Sequence, residues 1–270
     1  MGSSDPAAHA EVKECYRDMT MIENERCHQA EMRATLALIS PVTVLNKPKR
    51  RVGGPNDGGY VMLDDLDGVG VCYSLGVGPD VSWDIEMAEH GAIVFQYDHT
   101  VDAPPVVHPN FRHFKVGITD DDALAPDMKR LDSLMRDNGH ADRDDMVLKV
   151  DIEGYEWDSL EVLDSSTFAA FRQIVVEFHG LRLLDIGSFR ERAHRVFSTM
   201  RRTHEVIHVH ANNFAGMCIV KGIPIADCVE VTFVNRKFHS FIPSRDCFPG
   251  NLDSPNDPHR VDLVLGPFFF

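Results

Sequence analysis

The stretch "MVLKVDIEGYEWDSL", residues 146–160, joins a strand-like segment to a group of acidic side chains. Met146 to Val150 are apolar apart from one lysine, which is typical of a strand buried inside a parallel sheet. Asp151, Glu153 and Glu156 follow at once. Carboxylates are costly at the end of an apolar strand unless a ligand or hydrogen-bond donors meet them there. The stretch therefore predicts a functional site where this strand ends.

The segments on either side continue the alternation of strand and helix. Strand patterns occur at 70–78, 92–98, 111–118, 172–180, 205–213 and 228–236, and helix patterns at 82–91, 122–139, 156–166 and 188–203. This alternation predicts an α/β fold with a mostly parallel sheet. Only a short Gly- and Pro-containing link joins the last two strands, so we expect them to form an antiparallel pair. Residues 9–38 fit one or two amphipathic helices, and we predict an N-terminal helical extension at 1–44 before a domain at 45–270.

The composition excludes several classes of protein. A formal net charge of −15 over 270 residues argues against nucleic acid or an anionic membrane as the main partner. No apolar run approaches the roughly 18 residues of a membrane span. The start of the chain lacks the basic and apolar regions of a signal peptide. We therefore expect a soluble, cytoplasmic protein, with an anchor upstream in a longer precursor left open.

The six cysteines lack the paired C-x-x-C spacing of zinc and redox sites. We expect reduced thiols, with a Cys218–Cys228 disulfide as the alternative.

A glycine-rich turn follows the first strand of the alternating region, in "YSLGVGPD" at 73–80. Gly76 and Gly78 allow a sharp turn and a close approach of a ligand to the backbone. Asp98 ends the next strand, where an acidic side chain can bind the two hydroxyls of a ribose. No glycine stands at the third position of the dinucleotide fingerprint, shortly before Ser82, and no phosphate-binding lysine follows. A nucleoside without a pyrophosphate fits best, which indicates S-adenosylmethionine, although an ordinary strand-to-helix turn has the same glycines.

Three strand ends carry paired polar residues at a spacing of two. In a strand, residues i and i+2 point to the same face, and parallel strands end at one edge of the sheet. Such groups could act as a general base or bind a divalent metal. The pairs are Asp151 with Glu153, Glu177 with His179, and His208 with His210.

The motifs together resemble the FkbM-type methyltransferases that use S-adenosylmethionine. The K-x-D-x-E-G-x-E pattern of that family is met by Lys149, Asp151, Glu153, Gly154 and Glu156. The segment "RVGGPNDGGYVM" at 51–62 is similar to one that precedes the core in a subset including vertebrate methyltransferase-like proteins. The resemblance covers roughly residues 48–262. It implies a Rossmann-like sheet of six parallel strands and one antiparallel strand, the last, with helices on both faces.

The resemblance also implies a binding site for S-adenosylmethionine. Gly76 and Gly78 would pass under the methionine part, Asp98 would hold the ribose, and residues after the third strand would lie near adenine. Three residues of the N-terminal side would close over the cofactor. The complete implied set is Arg51, Asp57, Tyr60, Ser74, Gly76, Gly78, Asp98, Gly117, Ile118 and Asp151.

We expect O-methylation of a hydroxyl on a sugar, a glycan or a glycosylated small molecule. The expected catalytic residues are Asp151, Glu177, His179 and His208, with His179 or His208 as the general base. Sugar O-methyltransferases of similar fold imply that Asp151 and Glu177, with His208, could also hold Mg²⁺ or Mn²⁺.

Two other functions stay open. The acceptor could be a carboxylate or nitrogen of a protein or metabolite, or the chain could bind S-adenosylmethionine without catalysis. The N-terminal helices could mediate a homodimer.

Overall fold

The computed structural model describes residue 21 and residues 25–270. The strands are β1 (Val42–Val44), β2 (Lys49–Val52), β3 (Tyr60–Leu63), β4 (Val71–Leu75), β5 (Ile93–Tyr97), β6 (Phe111–Phe114), β7 (Gly117–Ile118), β8 (Met128–Lys129), β9 (Met146–Val150), β10 (Phe171–His179), β11 (His204–Ala211), β12 (Met217–Val220), β13 (Ile223–Ala226), β14 (Cys228–Asn235) and β15 (Phe241–Pro243). The helices are α1 (25–37), α2 (Ser82–Glu89), α3 (Leu131–Asp137), α4 (Glu156–Glu161), α5 (Ser165–Ala169) and α6 (Gly187–Arg201), and a 3-10 turn spans Leu181–Asp185.

The main sheet has seven strands in the order β11-β14-β10-β9-β4-β5-β6. Strand β14 runs antiparallel to both of its neighbours, and the other pairs are parallel. The predicted α/β fold with one antiparallel strand is therefore confirmed. Strands β4 and β9 are buried along their whole length because helices or loops cover both faces of the sheet. The carboxyl ends of β4, β5, β9 and β10 meet at one edge.

Two apolar clusters fill the space on the two faces of the sheet. One cluster packs helices α1, α3, α4, α5 and α6 against the sheet through residues such as Leu36, Leu134, Trp157 and Phe197. The other packs α2 and the β2–β3 hairpin through residues such as Tyr60 and Trp83. Trp83 and Trp157 are thus core residues.

Two predicted helices are shorter than their sequence patterns. The first half of the 122–139 pattern forms turns and strand β8, which pairs with β7, so α3 begins only at Leu131. The 156–166 pattern splits into α4 and α5 because the Asp164 side chain caps α5 by accepting a hydrogen bond from Thr167 N (2.9 Å). The β12–β13 hairpin was not predicted and lies in the link between β11 and β14. Strands β11 and β14 form the antiparallel pair that was expected.

The cysteines within residues 25–270 are free thiols, so the alternative Cys218–Cys228 disulfide is absent. None of the helices in the part of the chain that the structure describes has the length and apolar character needed to cross a bilayer.

Helix α1 packs onto α6 and the sheet. Met32 and Leu36 are fully buried, and Arg190 of α6 donates to Glu31 at 2.9 Å. The rest of the predicted helical segment, at 9–24 apart from residue 21, lies outside the described residues. The domain boundary at residue 44 and the homodimer stay predictions.

Replacing Leu36 with alanine tests whether α1 belongs to the folding core. We expect the variant to lower the free energy of unfolding by about 2–5 kcal/mol, because it leaves a cavity among buried side chains. Urea denaturation measures this, with Arg33→Ala at an exposed position of the same helix as the control. An effect no larger than that of Arg33→Ala would mean that α1 is only loosely attached.

Candidate functional site

The turn after β4 can be formed only by glycine. Gly76 has φ +87°, and a Cβ atom placed there would lie 1.7 Å from the carbonyl oxygen of Asp151. The two strand ends are also tied by a hydrogen bond from Asp151 N to Leu75 O at 2.9 Å. The backbone of this turn therefore packs directly on the start of the acidic segment after β9, and a side chain would separate them.

A cavity of about 500 Å³ opens beside this turn, at the carboxyl ends of β4, β5 and β9. Its volume is within the range of sites that hold nucleoside-sized ligands. The cavity brings together five of the residues predicted to bind the cofactor: Gly76, Asp98, Gly117, Ile118 and Asp151. The remaining lining residues are Tyr97, His99, Thr100, Leu124, Met128, Ile152, Glu153 and Tyr155.

Asp98 is oriented by backbone donors at the mouth of the cavity. Its Oδ2 accepts from Val77 N at 2.8 Å, and its Oδ1 accepts from Thr100 N at 2.7 Å. Partial burial by itself raises the pKa of Asp98, but these hydrogen bonds outweigh it and hold the pKa below the usual value. The carboxylate is therefore ionised at neutral pH and suited to accept hydrogen bonds from ribose hydroxyls.

The opposite side of the cavity is narrow and apolar. A Cβ atom on Gly117 would lie 2.5 Å from Met128 Sδ, so the absence of a side chain at 117 keeps this side open. Ile118 and Leu124 add further apolar surface, which suits a flat aromatic base.

Two predicted cofactor residues of the β4 region do not line the cavity. Ser74 is fully buried in β4, where its hydroxyl lies against Asp84. Gly78 lies just beyond the turn, and no atom lies within 4 Å of the position of a Cβ there.

The three predicted residues of the N-terminal side take different roles. Arg51 donates from Nε to Gly54 O (2.6 Å) and from Nη2 to Asn56 O (2.7 Å), so it shapes its own loop. Tyr60 is buried and donates its hydroxyl to Asp151 Oδ2 at 3.2 Å. Asp57 is solvent-exposed, and partial desolvation and the charges of Asp151 and Glu230 raise its pKa.

Glu177 is a buried carboxylate with one free oxygen. Its Oε1 accepts from Asn212 Nδ2 at 2.7 Å and from Cys228 Sγ at 3.1 Å. Its Oε2 is buried without a hydrogen-bond partner among the described residues. Burial, and then the charge of Asp151, raise the pKa of Glu177 to about 8. The group is thus a stronger base than an ordinary carboxylate.

His179 lies between carboxylates on both sides of its ring. Its Nδ1 is 3.1 Å from Glu156 Oε1, and its Nε2 is 3.1 Å from Glu177 Oε1 and 3.6 Å from Glu153 Oε2. Burial alone would lower the pKa of His179, but the carboxylates raise it to about 11. At neutral pH both ring nitrogens therefore carry protons, and the imidazolium has no lone pair with which to act as a base.

Glu156 accounts for part of the acidic group after β9. Its side chain is fully buried and accepts from Ile152 N and Gly154 N, both at 3.1 Å. It therefore stabilises the turn and holds His179. Glu153, in contrast, has φ +55° and a largely exposed side chain.

The structure places His208 apart from the predicted catalytic group. Its Nε2 is 2.7 Å from Asp253 Oδ1, and the ring lines a separate cavity with Lys49 and Asp246. Strand β14 lies between β11 and β10, so His208 is one strand further from Glu177 than the sequence order implies. The predicted metal ligands Asp151, Glu177 and His208 are not brought together.

Among residues 25–270, two other groups bring three metal-binding atoms within 4.8 Å of one another. These are Asp151, Glu153 and His179, and Glu177, His179 and Cys228. Both groups require His179, whose Nδ1 already faces Glu156. Two carboxylates and an imidazole are a suitable ligand set for Mn²⁺.

Sequence reasoning missed Glu230, which lies beside Glu177, and Asn256, which contacts Glu230. Glu230 pairs with Glu177 across β10 and β14 and lies 3.2 Å from His210 Nδ1. Asn256, from the C-terminal segment, donates its Nδ2 to Glu230 Oε1 at 2.6 Å. A single charged residue inside the apolar run "CVEVTFV" was the available signal for Glu230.

Sequence comparison relates the central part of this chain to one family. The model of the methyltransferase FkbM domain family matches residues 67–205, just over half of the chain. A comparison with curated proteins gave no match. A crystal structure from Anabaena variabilis, described as a putative methyltransferase from an antibiotic biosynthesis pathway, is 13% identical with a TM-score of 0.26. That alignment covers 56% of this chain and 59% of the Anabaena chain.

Proposed function

The chain belongs to the FkbM methyltransferase family, and on that premise we propose that it transfers a methyl group from S-adenosylmethionine to a hydroxyl oxygen of a sugar or a glycosylated small molecule. The observation that carries the proposal is the pair of carboxylates Asp151 and Glu177, the first at the cofactor cavity and the second buried beyond its lining. Asp151 lines that cavity, and Glu177 keeps a buried oxygen without a hydrogen-bond donor.

The residues of the cavity fit S-adenosylmethionine. Asp98 offers an ionised carboxylate to the ribose, the turn at Gly76 allows close approach of the amino-acid part, and Gly117 keeps a slot open for the base. When bound, the cofactor supplies an activated methyl group on a sulfonium that is already a good leaving group. The protein's remaining tasks are to orient the acceptor and to remove its proton.

We assign proton removal to the Asp151–Glu177 pair and not to a histidine. A sugar hydroxyl does not ionise unaided near neutral pH, so a base must accept its proton during transfer. A carboxylate with a pKa of about 8 is suited to this task, and the proximity of Asp151 is one cause of that pKa. The imidazolium of His179 then acts as a positioning group that donates to Glu177 Oε1.

A transfer assay over a panel of acceptors tests the proposal. Purified protein and methyl-labelled S-adenosylmethionine would be incubated with free sugars, glycans, carboxylic acids and amines, and the methylated atom located by mass spectrometry and NMR. O-methylated sugars support the proposal. Methyl esters or methylamines as the only products contradict it, and no turnover with tight S-adenosylhomocysteine binding would indicate a non-catalytic binding protein.

Chelation tests whether a metal takes part. We expect EDTA to leave turnover unchanged, because a metal at either possible site must displace a proton that two carboxylates hold on His179. Turnover would be measured with labelled cofactor in metal-free buffer. A loss of activity that Mn²⁺ restores would contradict this expectation and would favour Asp151, Glu153 and His179 as ligands.

A further inference from the structure

Four carboxylates converge on one buried phenol behind the cofactor cavity. Asp57, Asp151, Glu177 and Glu230 form this group, which we call the acidic cluster. Burial, and then the charges of all four carboxylates, raise the pKa of the Tyr60 hydroxyl well above its usual value. Contacts join the group: Tyr60 donates to Asp151, Glu177 pairs with Glu230 across β10 and β14, and the Asn256 amide lies between Glu230 and Asp57. Asp57 is at the exposed end, and Glu177 and Glu230 are at the buried end.

The negative charge of this region exceeds the positive charge available to it. Three basic groups contact the surrounding carboxylates or lie among them: Lys149, His179 and His210. Six carboxyl groups lie in this region, since Glu153 and Glu156 add to the acidic cluster: Asp57, Asp151, Glu153, Glu156, Glu177 and Glu230. Even with Glu177 protonated near neutral pH, the other five outnumber the three basic groups. A ligand that brings positive charge would relieve this imbalance, which adds to burial in raising the pKa of Glu177 and Asp57.

Two buried oxygens at the cluster also lack a hydrogen-bond donor within the described part of the chain. One is Glu177 Oε2, and the other is Oδ1 of Asn256, whose residue is 2% exposed. The amide nitrogen of Asn256 donates to Glu230 Oε1 at 2.6 Å and to Asp57 Oδ1 at 3.3 Å. The amide is thus fixed between two carboxylates, so the orphan Asn256 oxygen is an acceptor, and Glu177 Oε2 becomes one when Glu177 is ionised. A buried acceptor without a donor is costly, so a ligand that donates hydrogen bonds is expected here.

The spacing of the cluster disfavours a bare metal ion as that ligand. Neither Asp57 nor Glu230 belongs to a group of three metal-binding atoms within 4.8 Å among residues 25–270. The positive sulfonium of the cofactor would not balance the charge of the acidic cluster either. Of the four carboxylates, Asp151 alone lines the cofactor cavity. The cluster is therefore wider than an ion site, and Asp151 connects it to the cofactor cavity.

We propose that the methyl acceptor is an amino sugar, whose protonated amine is bound by the acidic cluster while a neighbouring hydroxyl faces Asp151 and Glu177. This inference rests on the proposed function for the identity of the reacting group. An ammonium group carries three N–H donors and one positive charge, which matches the ionised carboxylates of the cluster and the free amide oxygen of Asn256. The amine is a recognition group and is not itself methylated.

Matched pairs of sugars test the inference by binding and by transfer. The probes are the methyl glycosides of glucosamine and galactosamine, their N-acetyl counterparts, and methyl glucoside and galactoside. Calorimetry with S-adenosylhomocysteine present measures affinity, and labelled cofactor measures transfer. We expect the amines to bind roughly tenfold to a hundredfold more tightly than the N-acetyl sugars, as for charge-assisted hydrogen bonds. Equal affinity within each pair, or no binding of any probe, overturns the inference.

Two variants assign the preference to the acidic cluster. Asp57→Asn changes an exposed carboxylate with little risk to folding, and Glu230→Gln keeps the shape of a buried one. Each is expected to reduce the preference for the amine by roughly tenfold. Asp137→Asn, at an exposed position at the end of α3, is expected to leave it unchanged. An unaltered preference in Asp57→Asn, with Glu230→Gln folded and also unaltered, overturns the assignment.

The position of the methyl group separates this inference from the proposed function. O-methylated amino sugars support both. O-methylation of neutral sugars at equal rates keeps the proposed function and overturns the inference. N-methylated amino sugars keep cation binding by the cluster but overturn transfer to a hydroxyl.

Discussion

Replacing Gly76 with alanine is expected to abolish methyl transfer and the binding of S-adenosylhomocysteine. The new Cβ atom would lie 1.7 Å from the carbonyl oxygen of Asp151, so β4 and the segment after β9 must separate. The φ of +87° adds strain that an L-residue does not tolerate well. Both effects act where the cofactor cavity and the catalytic carboxylate meet. Calorimetry with S-adenosylhomocysteine and the transfer assay measure the loss.

A second glycine provides the matched control for this variant. Gly139, after α3, has φ +74° and no atom within 4 Å of the position of a Cβ. Gly139→Ala therefore carries only the backbone strain and is expected to lower stability by about 1–2 kcal/mol with binding unchanged. Gly76→Ala should cost about 3 kcal/mol or more, because overpacking adds to the strain. Wild-type affinity in Gly76→Ala would show that the cofactor does not bind at this turn.

The fold could be predicted because its signals are local. Apolar runs such as the one before Asp151 can be satisfied only by burial on both faces, and their alternation with helices permits few topologies. The positions of Gly76 and Asp98 are local in the same sense, since each directly follows a strand. Both residues line the same cavity, and their role in binding the cofactor stays a prediction.

The histidines show what local patterns leave open. His179 and His208 each lie near a strand end with a polar residue two positions away, and the sequence does not distinguish them. Their difference comes from strand order, because β14 inserts between β10 and β11 and adds about 4.8 Å between Glu177 and β11. Protonation of His179 depends on Glu156, a residue 23 positions away whose side chain folds back under the turn. Neither fact can be obtained from spacing.

The acidic cluster could not be predicted from the sequence, for a related reason. Glu230 faces Glu177 only through the antiparallel register of β10 and β14, and Asn256 reaches Glu230 from a segment without regular structure. Contacts between residues so far apart in the sequence depend on the final packing of the chain. The signal that was available, one glutamate inside an apolar strand, indicates a buried charge but does not name its partners.

Replacing Glu177 with glutamine is expected to lower kcat by roughly 10²–10⁴ while binding of S-adenosylhomocysteine stays within about twofold of wild type. Glutamine keeps the size of the side chain and can still accept from Asn212, but it cannot take a proton. The cofactor cavity does not include Glu177, so its lining is unchanged. Glu89→Gln, at an exposed position of α2, is the control. A Glu177→Gln enzyme with wild-type kcat would remove this residue from catalysis.

The dependence of kcat on pH should reflect the ionisation of Glu177. Since the pKa of Glu177 is raised to about 8, the carboxylate is protonated below that pH and free to accept a proton above it. We expect kcat to rise with pH to a plateau above pH 8, with the Asp151–Glu177 pair titrating as a unit. The residual activity of Glu177→Gln should lack this rise. A wild-type profile that is flat between pH 6 and 9 would contradict the assignment.

The pH dependence of the unfolding free energy is an independent test of the raised pKa of Glu177. Between the ordinary pKa of about 4.5 and the folded value of about 8, the folded protein binds a proton at Glu177 that the unfolded chain has released. The wild type therefore loses stability as the pH rises through this window, because ionisation of a buried carboxylate opposes folding. Glu177→Gln lacks that proton, so its unfolding free energy relative to wild type should increase from pH 5 to pH 8. A residue that destabilises the fold when ionised, and whose removal stops transfer, is retained for catalysis and not for folding.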